Sequence, residues 1–232
     1  MAPTRTRPGA ARLATLALAT ALVVFGGATA ASGRSATLLG KPASAPKPNC
    51  PRACSAIGSV TGFQTRAQGV KNPFQVRKRG HIVAWRVSLG RPDRESRDFF
   101  GDLFGRPALG EVPTARLAIL KKQQGRKFKL VRQSPIVDLS PFYGERPVIT
   151  LENPLRVRKG HIVAITTQTW LPSLAAANRV RRSKWRASRR RGKCGARGAR
   201  NARPHKKVGS TRGYGCQFAD RLLYWAYFTP RG

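Results

Sequence analysis

From Cys50 to the C-terminus the hydrophobic residues come in short runs separated by Gly, Pro, Asn and Ser, with no helical spacing held over long windows. Alternation with a period of two inside such runs predicts β-strands. "AIGSVTGFQT" is the first, and "HIVAWRVSL" the second, with Val83, Trp85, Val87 and Leu89 assigned to one face. "ARLAILKK" sets Leu117 beside Ile119, "KFKLVRQ" sets Phe128 beside Leu130, and "VITLEN", "HIVAITTQTW" and "RLLYWAYFT" continue the series. Many strands with turns at fairly even intervals, and no βαβ alternation, predict an all-β fold, an antiparallel β-sandwich or jelly roll. Trp85, Trp170 and Trp225 stand in these strands and are expected in the core.

Two strands are introduced by the same wording. "NPFQVRKRGHIVAW" begins at Asn72 and "NPLRVRKGHIVAI" at Asn153, one Arg shorter. In each copy Asn-Pro opens an extended segment, Val76 or Val157 points inward, a basic turn ends at Gly80 or Gly160, and a long strand starts at His81 or His161. The glycines are expected to adopt positive φ, and the repeat is expected to be two equivalent hairpins in the two halves of a sandwich. Two imidazoles without a nearby carboxylate make a poor metal site, so the histidines read as strand-opening residues and no metal or cofactor is implied.

One segment breaks the β pattern. In "RPDRESRDFFGDLFG" Pro92 and Asp93 form a helix-start signal, and Phe99 with Leu103 and Phe100 with Phe104 fall at i, i+4, which predicts a short helix covering one end of the sandwich. Asp93, Glu95, Asp98 and Asp102 are four of only nine acids in the chain, but they lack the alternating ligands and central glycine of a calcium loop. Arg91, Arg94 and Arg97 sit among them as ready partners.

The N-terminus carries Arg5, Arg7 and Arg12, then the apolar run Leu13 to Phe25 and the small-residue pattern Ala28-Thr29-Ala30, the layout of a signal peptide over 1–30. "ASGRSATLLGKPASAPKPN" follows as a flexible linker over 31–49, which leaves residues 50–232 as one domain. An exported chain keeps disulfides, and four cysteines allow three connectivities; the pairs closest in sequence, Cys50 with Cys54 and Cys194 with Cys216, are expected. Their spacings match no zinc site. The protein is thus expected outside the cytoplasm, secreted or at the cell envelope.

Charge changes the picture most. The 232 residues carry 45 Lys and Arg against 9 acids, a formal net charge of +36. Such a field attracts polyanions. It is densest between residues 179 and 207, where Arg179, Arg181, Arg182, Lys184, Arg186, Arg189, Arg190, Arg191, Lys193, Arg197, Arg200, Arg203, Lys206 and Lys207 stand without an acid. This stretch is expected to be a long basic insertion in the sandwich whose arginines contact an anionic polymer. Trp185, flanked by Lys184 and Arg186, can stack on a base or sugar, or belong to a strand that drops it into the core.

Signatures of catalysis are missing: no G-x-S-x-G elbow, no H-E-x-x-H and no P-loop. Asp138 and Glu145 flank "LSPFYG", a weak basis for paired-carboxylate glycan chemistry, and His205 in "RPHKK" has neighbours that disfavour its protonated form. A non-catalytic binding protein is expected, its partner an anionic polysaccharide or wall phosphate polymer. Nucleic acid and an anionic membrane surface are the alternatives, and an enzyme acting on wall or matrix glycans is the rival class.

The wording "PLRVRKGHIVAI" resembles the V-x-x-G-D-x-I-x-L step of secreted bacterial jelly-roll proteins, including carbohydrate-binding-module-like sandwiches. The span from Cys50 to Pro230 is similar to exported bacterial β-sandwich proteins as a whole. The resemblance implies the architecture. His81 and His161 stand where Asp is common in that step, so no calcium or sugar contact is carried over to them.

Overall fold

The computed structural model describes residues 35–40, 46–50, 54–104, 112–176, 180–195 and 202–231. The predicted leader lies outside them. In chain order the strands are β1 (Thr37–Leu39), β2 (Ile57–Ala67), β3 (Val70–Lys71), β4 (Gly80–Val87), β5 (Thr114–Lys122), β6 (Lys127–Gln133), β7 (Val137–Asp138), β8 (Val148–Val157), β9 (Ile162–Leu171), β10 (Leu174–Ala175), β11 (Lys184–Ala187), β12 (Thr211–Gly213), β13 (Cys216–Phe218), β14 (Arg221–Leu222) and β15 (Tyr224–Pro230). Among the described residues one α-helix, α1 (Arg94–Phe104), follows β4, and a short 3-10 helix spans Ser140–Phe142.

Among the described residues β10 pairs with β14 in a separate two-stranded sheet, and the strands otherwise build two main antiparallel sheets. The smaller has the order β1-β15-β4-β8; the larger runs β12-β6-β5-β9-β2-β11-β13, with β3 beside β2 and β7 beside β5. β12 and β13 end the larger sheet on opposite sides, yet only Tyr214 and Gly215 separate them in the chain. That short link draws the two ends together and curls the sheet into a half-barrel.

Because side chains alternate across a strand, the curled sheet serves two interiors. Toward the smaller sheet, Val60, Leu117, Ile119, Val163, Ile165 and Trp185 pack with Trp85, Val87, Tyr224 and Phe228 in the sandwich core. Into the curl point Phe63, Ala118, Leu120, Phe128, Leu130, Ala164 and Tyr214. The aromatic trio there meets at ring-centroid distances of 5.0 Å for Phe63 with Phe128, 5.0 Å for Phe128 with Tyr214 and 5.7 Å for Phe63 with Tyr214. The all-β sandwich expected from the pattern is present, and Trp85, Trp170 and Trp225 are all buried.

Three expectations change. The inward set of β4 is Ile82, Trp85 and Val87, with Val83 only half-buried, because the pairing with β8 shifts register between Ile82 and Ala84. Such a bulge adds a residue and reverses the alternation beyond it. Ordered structure does not begin at Cys50. β1 pairs Thr37 with Phe228, and the Gly40 carbonyl accepts a 3.0 Å hydrogen bond from Nη2 of Arg221, a fully buried guanidinium whose pKa burial pushes down to about 10.

The repeat is not a pair of hairpins. Val157 pairs with Gly80 and Arg156 with His81, while Gln75 bridges to Ile162 and the Val163 N–H donates to the Phe74 carbonyl at 3.0 Å. Each copy's Asn-Pro arm therefore lies beside the long strand of the other copy, and each basic turn crosses from one sheet to the other. Val76 and Val157 are buried, as expected. Gly160 has a φ of +85°, but Gly80 is needed for a different reason: a Cβ there would collide with the Thr229 carbonyl and the Phe228 ring of β15.

Helix α1 starts where the sequence indicates. Asp93 Oδ1 accepts a 2.8 Å hydrogen bond from the Ser96 N–H, and hydrogen bonding from the Ser96 side chain, with this backbone bond second, lowers the Asp93 carboxyl pKa. Phe100 packs on Trp170 at 5.3 Å between ring centroids, whereas Phe99 remains exposed. Arg94 and Asp98 approach to 3.9 Å on the solvent side, a pair of little energetic consequence.

Candidate functional site

In its described parts, 180–195 and 202–207, the 179–207 stretch is built into the fold as a strand and a plug. Its first half contains β11, which pairs with both β2 and β13. Alternation along β11 sends Trp185 and Ala187 into the sandwich core and turns Arg186 and Ser188 toward the curl. Trp185 stacks on Phe218 at 4.8 Å and retains only 4% of its exposure, so the reading of it as a stacking platform is corrected in favour of the core.

The second half closes the half-barrel. Ala202, Pro204 and His205 are buried, the His205 N–H donates to Thr61 Oγ1 at 3.0 Å, and its Nδ1 lies 3.2 Å from the Tyr214 hydroxyl. Nε2 of His205 faces Ser210 Oγ at 2.9 Å. Burial, reinforced by the Arg212 charge, holds the His205 pKa below its ordinary value; burial pushes the Tyr214 phenol up. Arg212 clasps the plug, its Nη1 donating to the carbonyls of Arg203 and Pro204.

Between plug and β11 edge opens a groove of about 850 Å³ whose lining includes Arg189, Arg190, Lys193, Arg203 and Arg212 and, among the described residues, no carboxylate. Each wall is fixed. The Gly215 N–H donates to the Arg189 carbonyl at 2.7 Å, and the Lys193 N–H closes a turn onto Arg190 at 3.1 Å, with Gly192 at a φ of +82°. The Cys194–Cys216 disulfide ties this wall to β13. The second expected bridge, Cys50–Cys54, is also formed, and two formed disulfides with no free cysteine belong to an oxidising, extracytoplasmic setting.

Arg189 is the most deeply set of the cations. Its guanidinium lies 5.9 Å from the Phe218 ring centroid, its Nε has no hydrogen-bond partner, and burial lowers its pKa. A half-buried guanidinium in a groove where the described lining carries cations and no carboxylate has the chemistry to pair with a phosphate, sulfate or carboxylate oxygen.

The expected contact residues therefore divide. Arg189, Arg190, Lys193 and Arg203 converge on the groove. Arg186 turns to a neighbouring one, its Nη1 donating to the Tyr214 carbonyl at 3.3 Å. Arg181 and Arg182 are exposed in the turn before β11, Lys184 is exposed at its start, and Arg191, Lys206 and Lys207 are exposed outside the groove lining. Arg179, Arg197 and Arg200 lie outside the described residues. Arg212 was missed by stopping at Lys207, although the acid-free stretch runs from Asn153 to Ala219.

The other candidates stand elsewhere. Asp138 accepts 2.8 Å hydrogen bonds from the Ser140 N–H and hydroxyl, a local turn, and Glu145 is exposed. His161 is buried at the end of the turn it closes, with Nδ1 accepting from the Arg158 N–H at 3.3 Å, and burial together with Arg132, Arg158 and Lys121 lowers its pKa. Among the described residues no three His, Cys, Asp or Glu side chains converge as metal ligands, and no helix is long and apolar enough to cross a membrane. No family model, curated protein or solved structure matches the chain.

Proposed function

We propose that this is an exported, non-catalytic protein that binds an anionic polymer, a wall phosphate polymer or acidic polysaccharide, at the cell envelope or outside the cell. The observation that carries the reading is the convergence of Arg189, Arg190, Lys193, Arg203 and Arg212 on one groove without a carboxylate in its lining. Like charges held this close repel one another, and a polymer that neutralises them is bound with release of its counterions. With Trp185 in the core, the described lining of this groove offers no aromatic face to a base, which favours recognition there by charge over recognition of nucleobases.

Deleting 179–207 would remove β11 and the plug together, so charge reversal tests the groove more cleanly. Arg190 and Lys193 are exposed, and R190E/K193E should keep its melting temperature and lose retention on immobilised polyphosphate. R79E/R94E makes the same change in net charge at exposed positions away from the groove lining and should retain binding. Equal loss in both variants would mean that net charge alone is read, and would overturn the assignment.

A further inference from the structure

The basic groove does not end at Gly213. Gly213, the last residue of its lining, pairs with Lys127, and the next residue, Tyr214, donates its N–H to the Arg126 carbonyl at 2.8 Å while accepting from Arg186. Arg126 and Arg186 line a second groove of about 260 Å³ together with Lys122, over a floor that includes Phe63 and Phe128. Among the described residues this lining also lacks a carboxylate. The linings of the two grooves thus meet at Gly213 and Tyr214: Gly213 lines the first, and Arg126 and Arg186 of the second both hydrogen-bond the Tyr214 backbone.

We propose that the two grooves form one track for a single, linear polyanion chain, which passes from the Arg189 groove over Tyr214 into the Lys122–Arg126–Arg186 groove. This rests on the polyanion reading above and adds to it the form of the ligand and a second subsite.

Three observations support the track. The cations are distributed, five in the first groove and three in the second, which suits charge repeated along a chain better than one compact ion. Arg186 is half-buried, and burial together with the Arg126 charge lowers its pKa, so an anion bridging the two relieves a repulsion already present. Duplex DNA, stiff over about 50 nm, does not bend into adjoining pockets of this size, whereas a flexible single chain follows them.

The charge count sets the readout. At a slope of about 0.7 per contact for a single chain, eight contacts weaken binding about 2,000-fold between 50 and 200 mM salt, and the five of the first groove alone about 100-fold. The experiment measures the full-length protein against long-chain polyphosphate, short-chain polyphosphate and duplex DNA across that salt range. The native protein should prefer the long chain over the short one at equal phosphate concentration, and over the duplex. K122E/R126E, at two exposed positions, should lower the salt slope by about 1.4 and abolish the length preference while short-chain binding persists. An unchanged slope and length preference in K122E/R126E would overturn the track and leave the first groove standing if R190E/K193E still loses binding. Binding unaffected by either variant would remove both readings, and duplex DNA bound as tightly as long-chain polyphosphate would exclude the single-chain ligand.

Discussion

Trp185 decides between two views of the basic stretch, and its substitution separates them. If the side chain belongs to the core, Trp185→Ala deletes a ring that keeps 4% exposure, stacks on Phe218 and lies against Gly62, where a Cβ would come within 2.7 Å of it. Loss of a buried Trp costs about 3–5 kcal/mol, the transfer free energy of the ring plus the cavity it leaves. Trp185→Phe gives a sharper test. The Trp185 Nε1 is buried and has no hydrogen-bond partner, an arrangement that costs about 1–3 kcal/mol. Phenylalanine removes that orphan donor while leaving a cavity worth about 1 kcal/mol, so the two effects nearly cancel. Urea unfolding should give a much lower midpoint for Trp185→Ala at an unchanged m-value, and a midpoint near native for Trp185→Phe. Polyphosphate affinity of both, measured where they are folded, should match the native protein. A Trp185→Ala protein of native stability that fails to bind would place the indole on the ligand and refute the core assignment.

Both buried histidines have pKa values held below their ordinary 6.5, so between that value and their native ones the unfolded chain takes up protons that the native state refuses; stability should fall as pH drops below 6.5, and H161Q/H205Q should flatten a urea-midpoint profile there. Asp93, lowered from 3.8, acts at more acid pH and leaves this window to the histidines. The repeat's two glycines should respond differently: Gly160→Ala costs about 1 kcal/mol for a strained φ, whereas Gly80→Ala prevents the close approach of β4 to β15 and should lower the melting temperature severely. C194S/C216S opens a cross-link spanning 22 residues, worth about 3 kcal/mol of unfolded-state entropy, and should weaken polyphosphate retention more than C50S/C54S, whose separation of 4 gives about 2 kcal/mol and whose bridge lies outside the groove lining.

Strand positions were legible because period-two burial is written locally, and α1 because Asp93 and the aromatic spacing sit within a few residues of each other. The bulge at Ile82 was hidden, since what shifts the register is pairing with β8, some seventy residues away. The repeat announced a shared local conformation but not which strand each arm would join. The basic stretch misled most: its composition looks unfit to bury, yet β2 and β13 recruit Trp185 and Ala187, and the curl recruits Ala202 and His205. Half of the groove was legible as charge. Arg212, Lys122 and Arg126 were not, because only the closure of β12 onto β6 and the turn before β6 bring them beside it.

β1 and β15 have a consequence for how the molecule is made. Thr37 pairs with Phe228, and β4 lies between β8 and β15, so the smaller sheet cannot be completed until β15 has been synthesised. Such non-local topology delays folding. A ribosome still holding β15 thus keeps the smaller sheet incomplete, and the face of the larger sheet that packs against it is covered only once that strand is released.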